Sequence, residues 1–260
     1  MRVLFTLLLT ALLALPAWSA PAPAVEVALA TYYDHAPFHH PDGATDLTRE
    51  LAALLTARSG GRFHFVATLL PKKRIENMAL FADWQGVVAW LNPRFFGDEA
   101  QTQYQWSEAI LMEEDLVLSH VEAPVVYTGP ASLRGKLLGG VLNYRYEEAD
   151  AMVARQEMRR SDAPSLESNI RKLMLKRVDV VFVPHSALPG LRQRIAGFDR
   201  QLLVAPLPRN HFSRHLLLTR GLPPELVRYV RESVPQLGRD PEWRALLAAH
   251  RLEKLLPPRR

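Results

Sequence analysis

Side chains suited to non-covalent binding of a small molecule collect at four places in this 260-residue chain. Aromatic rings can stack on flat or cationic groups, and the planar guanidinium of Arg matches a carboxylate or phosphate with two parallel hydrogen bonds. Asn amides and His rings add further donors and acceptors. The candidate contact residues are Tyr33, Asp34, Phe38, Trp90, Asn92, Arg94, Asn143, Tyr144, Arg145 and His185.

Each of the four places follows a predicted β-strand. These strands are Val25 to Ala30, Val87 to Leu91, Leu137 to Leu142 and Val178 to Val183. Ligands of open α/β sheets bind at the carboxyl ends of strands, so we expect the candidates to line one cleft. Tyr32 and Tyr33 point opposite ways in an extended chain, and Tyr33 is the one expected to face the ligand.

Two of these places are expected to contact an anion. Asn143 to Arg145 lies directly before a predicted helix, Glu147 to about Met158, and the free N–H groups at a helix start favour negative charge. Arg94 supplies a second cationic group.

Strands alternate with helices along the rest of the chain, which indicates a largely parallel sheet with helices on both faces. Further strands are predicted at Phe63 to Leu69, Leu116 to Ser119 and His215 to Thr219, and further helices at Leu47 to Leu55, Lys72 to Phe81, Ser165 to Lys176, Pro224 to Val234 and Pro241 to Leu256. We expect two α/β lobes: residues 25–118 begin lobe 1, residues 119–213 form lobe 2, and residues 214–260 return to lobe 1.

Residues 1–24 have the pattern of an export signal. Arg2 supplies a positive start, Val3 to Leu15 an apolar run, and Pro16 breaks the helix before a zone of small residues suited to cleavage. We therefore expect a periplasmic protein. A retained membrane anchor is the alternative, but the apolar run is shorter than the ~20 residues that a span requires.

The composition narrows the class of protein. Hydrophobic residues make up 48% and charged residues 23% of the chain, as in a folded globular protein. Because cysteine is absent, disulfides, thiol nucleophiles and thiolate metal sites are excluded. The net charge of +5 is spread over small clusters with no basic stripe, so nucleic acid is not an expected partner.

Metal binding and catalysis are the weaker alternatives. His35, His39 and His40 lie near Asp34 and Asp42, and imidazoles with carboxylates suit zinc, nickel or copper, but the spacing matches no recognised ligand pattern. The chain has no Gly-x-Ser-x-Gly, no His-Glu-x-x-His and no Gly-rich phosphate loop. We therefore expect no metal, no cofactor and no enzyme activity.

The order of these elements resembles the bacterial extracellular solute-binding proteins of the polar-amino-acid type. The segments that carry the resemblance are Val25 to Ala30 with Tyr33, Pro37 and Phe38, then Asp46 to Thr48, Val87 to Leu91, Trp106 to Ile110, Ser132 to Lys136 and Arg177 to Phe182. The resemblance covers nearly the whole chain after the signal. It implies the type II periplasmic binding protein fold, with two crossing strands near Leu116 to Ser119 and His215 to Thr219, and hinge closure over a small solute.

Two positions depart from the pattern of that family. Members that bind amino acids usually carry an Arg shortly before the pair that is here Trp106-Ser107, where this chain has Glu99-Ala100-Gln101. They also carry an Asp after the strand that ends here at Val183, where this chain has Pro184 and His185. The resemblance therefore implies a small polar ligand, without specifying an amino acid.

Taken together, the sequence predicts a monomeric periplasmic protein that captures a small polar ligand for an ABC-type transporter and hands it to a membrane permease. A sensory or regulatory module that signals to a membrane receptor is the main alternative. A periplasmic hydrolase is the remote one.

The export prediction can be tested by processing. When the full chain is expressed in a Gram-negative host, the mass of the periplasmic protein should correspond to a start near Ala20 or Val25. Leu8→Arg interrupts the apolar run and should leave unprocessed precursor. A full-length protein recovered from the membrane fraction would instead support the retained anchor.

Overall fold

A computed structural model describes residues 23–40, 42–43, 45–80 and 84–258. All but the last two positions of the predicted signal peptide lie outside these residues. Within the described ranges, every helix is too short or too polar to cross a bilayer.

The elements follow one another as alternating strands and helices. The strands are β1 (Val25–Thr31), β2 (Phe63–Leu69), β3 (Gly86–Leu91), β4 (Gln105–Trp106), β5 (Leu111–His120), β6 (Leu137–Val141), β7 (Arg159–Ala163), β8 (Val180–Pro184), β9 (Leu202–Val204) and β10 (Asn210–Leu218). The helices are α1 (Leu47–Arg58), α2 (Lys72–Leu80), α3 (Glu147–Ala154), α4 (Leu166–Met174), α5 (Leu188–Arg194), α6 (Phe198–Gln201), α7 (Pro224–Leu237) and α8 (Pro241–Ala249). Short 3-10 helices occupy Pro93–Phe96, Pro130–Leu133, His185–Ala187 and Glu253–Leu255.

Side-chain caps fix where several helices begin. The Asp46 carboxylate accepts the N–H of Arg49 at 2.9 Å, and α1 starts at the next residue. Ser165 Oγ accepts the N–H of Ser168 at 3.1 Å before α4. Such caps satisfy N–H groups that lack a partner inside the helix.

The described strands form one curled sheet in the order β2-β1-β3-β10-β5-β8-β6-β7, with β4 added to β10 and β9 added to β5. Two long strands cross at its centre: residues 111–115 of β5 pair with residues 210–214 of β10 in antiparallel register. Beyond the crossing, β5 continues into pairing with β8 and β9, and β10 continues into pairing with β3 and β4. The crossing strands therefore join two halves of the sheet.

Separate hydrophobic cores lie on the two sides of this crossing. One core draws on residues 27–111 and 216–255, and we name this half lobe 1. Two smaller cores on opposite faces of the other half-sheet draw on residues 116–205, and we name this half lobe 2. The chain thus has the two-lobed architecture of type II periplasmic binding proteins.

The structure corrects two details of the sequence prediction. Parallel pairing is confined to β1 with β2 and β3, and to β6 with β7 and β8, so the sheet is mixed rather than largely parallel. The chain after α3 turns back as β7, which lacks the apolar alternation of an ordinary strand because β7 lies at the sheet edge. The crossing, at residues 111–115 and 210–214, lies directly before the two segments near which it was predicted.

Two leucines at the end of α4 provide a matched test of the lobe 2 core. Leu173 is fully buried, whereas Leu175 is 61% exposed. Leu173→Ala should lower the free energy of unfolding by about 2–5 kcal/mol because it removes buried methyl groups and leaves a cavity. Leu175→Ala should change it by less than about 0.5 kcal/mol. Urea denaturation measures both, and equal effects would contradict this packing.

Candidate functional site

A cavity of about 100 Å³ lies between the lobes, at the level where β5 and β10 cross. Aromatic and charged side chains dominate its walls. The lining residues include Tyr32, Tyr33, Asp34, His35, Lys72, Arg94 and Phe95 from lobe 1, Tyr144, Arg145, Tyr146, Glu147, Glu148, Leu166 and Phe182 from lobe 2, and Asp115, Arg209, Asn210, Phe212 and Arg214 from the crossing strands and the chain beside them. We call this cavity the cleft.

Both tyrosines after β1 line the cleft, where the sequence prediction placed only Tyr33. The strand ends at Thr31, so the alternation of side chains no longer holds at Tyr32 and Tyr33. Their ring centroids are 4.4 Å apart, and the Tyr32 hydroxyl donates a hydrogen bond to Tyr33 Oη at 3.2 Å. The proton of the Tyr33 hydroxyl is therefore free to donate elsewhere.

Five of the ten predicted contact residues line the cleft, namely Tyr33, Asp34, Arg94, Tyr144 and Arg145. Phe38 and Trp90 instead lie fully buried in the lobe 1 core, where their rings stack at 4.8 Å. Trp90 donates its indole N–H to Thr48 Oγ1 at 2.9 Å, which anchors it against α1. Both rings pack in the core. The sequence pattern does not distinguish an aromatic residue that packs in a core from one that contacts a ligand.

The other three predicted residues do not line the cleft. Asn92 caps the helix at Pro93–Phe96 and donates to the Ser213 carbonyl at 2.7 Å. Asn143 adopts a left-handed backbone (φ 64°) in the turn after β6. His185 Nδ1 lies 3.3 Å from Glu114 Oε2.

Carboxylates of the protein itself lie at the start of α3, where an anion site was predicted. The N–H of Tyr146 donates to the Asp150 carboxylate at 2.8 Å, and Glu147 and Glu148 occupy the first turn. Arg94, the second predicted anion contact, forms an ion pair with Glu147 across the cleft. The start of α3 and Arg94 thus both have carboxylates of the protein as partners in this structure.

Direct contacts between the lobes close the cleft at several points. Besides the pair of Arg94 and Glu147, Lys72 Nζ donates to the Asn143 carbonyl at 3.0 Å. On another side, a Cβ at Gly190 of α5 would lie only 2.7 Å from the Cβ of Ala36. The lobes approach so closely there that a side chain larger than hydrogen does not fit.

The floor of the cleft contains a buried ion pair that joins the crossing strands. Arg214 of β10 donates from Nε to Glu113 Oε2 of β5 at 2.9 Å, and both side chains are at most 1% exposed. Arg214 Nη1 donates to the Trp90 carbonyl of lobe 1 at 3.0 Å, while Glu113 Oε1 accepts the Ser186 N–H of lobe 2 at 3.1 Å. The pair thus connects the backbones of both lobes.

A second pair lies on the lobe 2 side of the floor. Arg209 pairs with Asp115 and packs over the Phe182 ring, with 4.5 Å between the guanidinium carbon and the ring centroid. Burial raises the pKa of Asp115, and the Arg209 charge opposes that rise. Because the two charges are nearly enclosed together, the pair contributes little net charge to the cleft.

Burial also sets the ionisation of the cleft walls. It raises the pKa values of Tyr32 and Tyr144 well above the ordinary tyrosine value, so both keep their hydroxyl protons. It lowers the pKa of His35, whose Nδ1 donates to the Ala36 carbonyl at 2.8 Å, so the ring is neutral near pH 7. Burial favours a lower pKa for Arg214 too, but the Coulombic effects of Tyr33 and Glu113 outweigh it and raise the value, so Arg214 stays cationic.

The sequence prediction missed the residues of the floor. Glu113 and Arg214 lie in the polar first halves of long strands, whose predicted starts at Leu116 and His215 excluded both. One signal was available, because the alternation Phe212-x-Arg214-x-Leu216 places a guanidinium on an apolar face of a strand. A buried cation in such a position requires a partner.

The alternatives of a metal site and a catalytic site can be compared with the geometry. Across the described residues, no group of three or more His, Asp or Glu side chains is arranged to hold a metal ion. One Ser–His pair is within hydrogen-bonding distance: Ser213 Oγ lies 2.7 Å from His215 Nε2, and His215 Nδ1 lies 2.9 Å from the Ser107 carbonyl. Ser213 and His215 alternate with Arg214 and Phe212 along β10, so they face away from the cleft.

Comparison with known proteins identifies the fold. No protein-family profile and no curated protein sequence matches this chain. A structure reported for glutathione import through GshT and the cystine ABC importer TcyBC of Streptococcus mutans superposes with a TM-score of 0.73 at 14% identity, covering 91% of this chain and 98% of that one. A putative ABC transporter binding component from Wolinella succinogenes, complexed with lysine, gives 0.69 at 9% identity, covering 90% and 96%.

A third similar structure is the VFT2 domain of BvgS from Bordetella pertussis, with a TM-score of 0.61 at 16% identity, covering 87% of this chain and 93% of that one. Together with the crossing strands and the interlobe cleft, these similarities show that the chain has the type II periplasmic binding protein fold.

Breaking the buried ion pair of Glu113 and Arg214 should lower the free energy of unfolding substantially. Glu113→Gln leaves the Arg214 cation without a charged partner, and we expect the free energy of unfolding to fall by about 3–5 kcal/mol. Glu122→Gln removes a carboxylate from an exposed pair with Lys176 and should cost less than about 1 kcal/mol. Urea denaturation of both variants measures the difference, and similar losses would contradict the role given to Glu113.

Proposed function

We propose that this chain is a periplasmic solute-binding protein that captures a small polar ligand by closing its two lobes. The observation that supports this most directly is the cleft itself, which is lined from both lobes and floored by the strands that join them. A ligand held there would contact both lobes at once, so binding would stabilise the closed arrangement.

The crossing strands are suited to act as the hinge. The lobes have separate cores, so the lobes are able to move as units about residues 111–115 and 210–214. We propose lobe bounds of 25–115 and 214–260 for lobe 1 and 116–213 for lobe 2, which moves the predicted boundary after residue 118 because residues 116–118 pack in the lobe 2 cores.

Transport through an ABC-type permease is the favoured role. Two of the similar structures described above come from ABC transport systems. The similarity to the BvgS domain supports the second candidate, a sensory module that signals to a membrane receptor. A permease gene next to the gene of this chain would favour transport, and a membrane receptor gene there would favour sensing.

A non-enzymatic role agrees with the arrangement of the cleft. Of its acidic groups, Asp115 and Glu147 are paired with Arg side chains, and the Ser–His pair of β10 lies on the opposite face of the strand. Hydrolysis in the cleft would need a nucleophile and a base within hydrogen-bonding distance of one another there.

Ligand-dependent stability tests the proposed function. The mature protein is heated with amino acids, organic acids, polyamines, sugars, phosphates and divalent metals. A ligand at one hundred times its Kd should add about 2.7 kcal/mol, which raises Tm by a few degrees for a chain of this size. The absence of any shift across the panel would contradict a solute-binding role.

A glycine variant separates lobe closure from ligand contact. Gly190→Ala places a methyl group against Ala36 in the closed form only, and overpacking of about 1–3 kcal/mol should weaken binding about 5- to 150-fold. Gly238→Ala is the control, since a Cβ there has no atom within 4 Å. Small-angle scattering should show a larger radius of gyration for Gly190→Ala with ligand present, and unchanged affinity would contradict closure.

A further inference from the structure

The Arg214 guanidinium has one nitrogen without a partner. Nε donates to Glu113 and Nη1 to the Trp90 carbonyl, but Nη2 is buried and has no hydrogen-bond acceptor among the described residues. Buried charged donors are nearly always satisfied, because leaving one unpaired is unfavourable. An exception at a residue that lines the cleft suggests that the acceptor comes from a ligand.

The groups around Arg214 restrict what that acceptor can be. Its guanidinium carbon lies 4.8 Å from the ring centroid of Tyr33, 4.7 Å from that of Phe38 and 5.1 Å from that of Phe212. Tyr33 and Phe212 also line the cleft. The Tyr33 hydroxyl accepts from Tyr32 and has its own proton left to donate.

We propose that Arg214 Nη2 and the Tyr33 hydroxyl bind the carboxylate of a small organic acid whose flat, apolar body packs against the aromatic walls of the cleft. This proposal rests on the proposed function and specifies its ligand class. Tyr32, Tyr144 and Phe212 supply the walls on which such a body packs.

A singly charged carboxylate fits the charge of the floor better than a phosphate. The two buried cations Arg214 and Arg209 are already balanced by Glu113 and Asp115, so the floor has no surplus charge for a dianion. Arg214 Nη2 and the Tyr33 hydroxyl supply two donors, which suit one carboxylate oxygen. Phosphate presents more acceptor oxygens than these two donors can satisfy.

The arrangement does not require an amino group on the ligand. The carboxylates of Asp115 and Glu147 are engaged with Arg209 and Arg94. Asp34 is exposed at the edge of the cleft and forms no ion pair with any other described residue. The Arg214 site on β10 thus distinguishes an acid from its neutral counterpart. Among the described residues, the floor has no matching site for a cationic group of the ligand.

The test compares acids with their amides. Isothermal titration calorimetry measures binding of acetate, butyrate, benzoate, phenylacetate, 3-phenylpropionate, glutarate and phenylalanine, each beside its amide. At least one acid should bind at least tenfold more tightly than its amide. Tyr33→Phe should weaken acid binding about tenfold and amide binding by less, because a hydrogen bond to a charged group contributes more than one to a neutral amide oxygen.

A double variant removes the charges of the floor together. Glu113→Gln with Arg214→Met leaves no unpaired buried charge, and it should abolish the preference for acid over amide. Glu122→Gln with Lys176→Met is the matched control, because it removes an exposed ion pair of lobe 2. Circular dichroism checks that both fold, and if the floor variant does not, Tyr33→Phe decides.

The outcomes separate the two proposals. Binding of an amide as tightly as its acid, binding only of cations or sugars, or an acid preference that survives in the folded double variant would overturn the Arg214 site and leave the solute-binding role standing. If Tyr33→Phe bound the acid as tightly as the unaltered protein does, the proposed hydrogen bond from Tyr33 to the carboxylate would be wrong. Failure of every compound in both panels to bind would overturn both proposals.

Discussion

The buried pair of Arg214 and Glu113 is the interaction on which the rest of the structure depends. It lies where β5 and β10 cross, and its hydrogen bonds reach the Trp90 carbonyl in lobe 1 and the Ser186 N–H in lobe 2. Two charges buried this deeply are tolerated because each satisfies the other and both make further hydrogen bonds. The geometry of the pair therefore fixes how the two lobes meet and where the cleft has its floor.

The walls of the cleft extend from this floor by packing rather than by charge. Phe38 and Trp90 stack beneath Tyr33 in the lobe 1 core, and that support holds the tyrosine ring against the Arg214 guanidinium. Burial keeps Tyr32 and Tyr144 protonated, so the upper walls present hydroxyl groups and ring faces. Most cleft charges, by contrast, are paired within the protein, so few polar groups of the lining are left to orient a ligand.

Much of the fold was predictable because the local signals are strong. The predicted strands Val25 to Ala30 and Val87 to Leu91 lie within one residue of β1 and β3, and the helices predicted from Leu47 and Ser165 start within one residue of α1 and α4. The edge strand β7 was missed because its sequence, Arg-Arg-Ser-Asp-Ala, has no apolar face. Among site residues, position after a strand identified Tyr33, Tyr144 and Arg145, but it could not separate them from Trp90 and Asn92, whose partners come from distant parts of the chain.

The sequence by itself determined the alternation of strands and helices, the two-lobed fold and the strand ends at which a ligand site was sought, because these follow from periodicity, capping and turns between near neighbours. Tertiary structure alone decided that Glu113 meets Arg214, 101 residues later, and that Arg94 meets Glu147 across the cleft. Such pairings depend on the register of β5 against β10 and on how closely the lobes approach. Neither is encoded in any short segment, since both arise only when long-range contacts are made together.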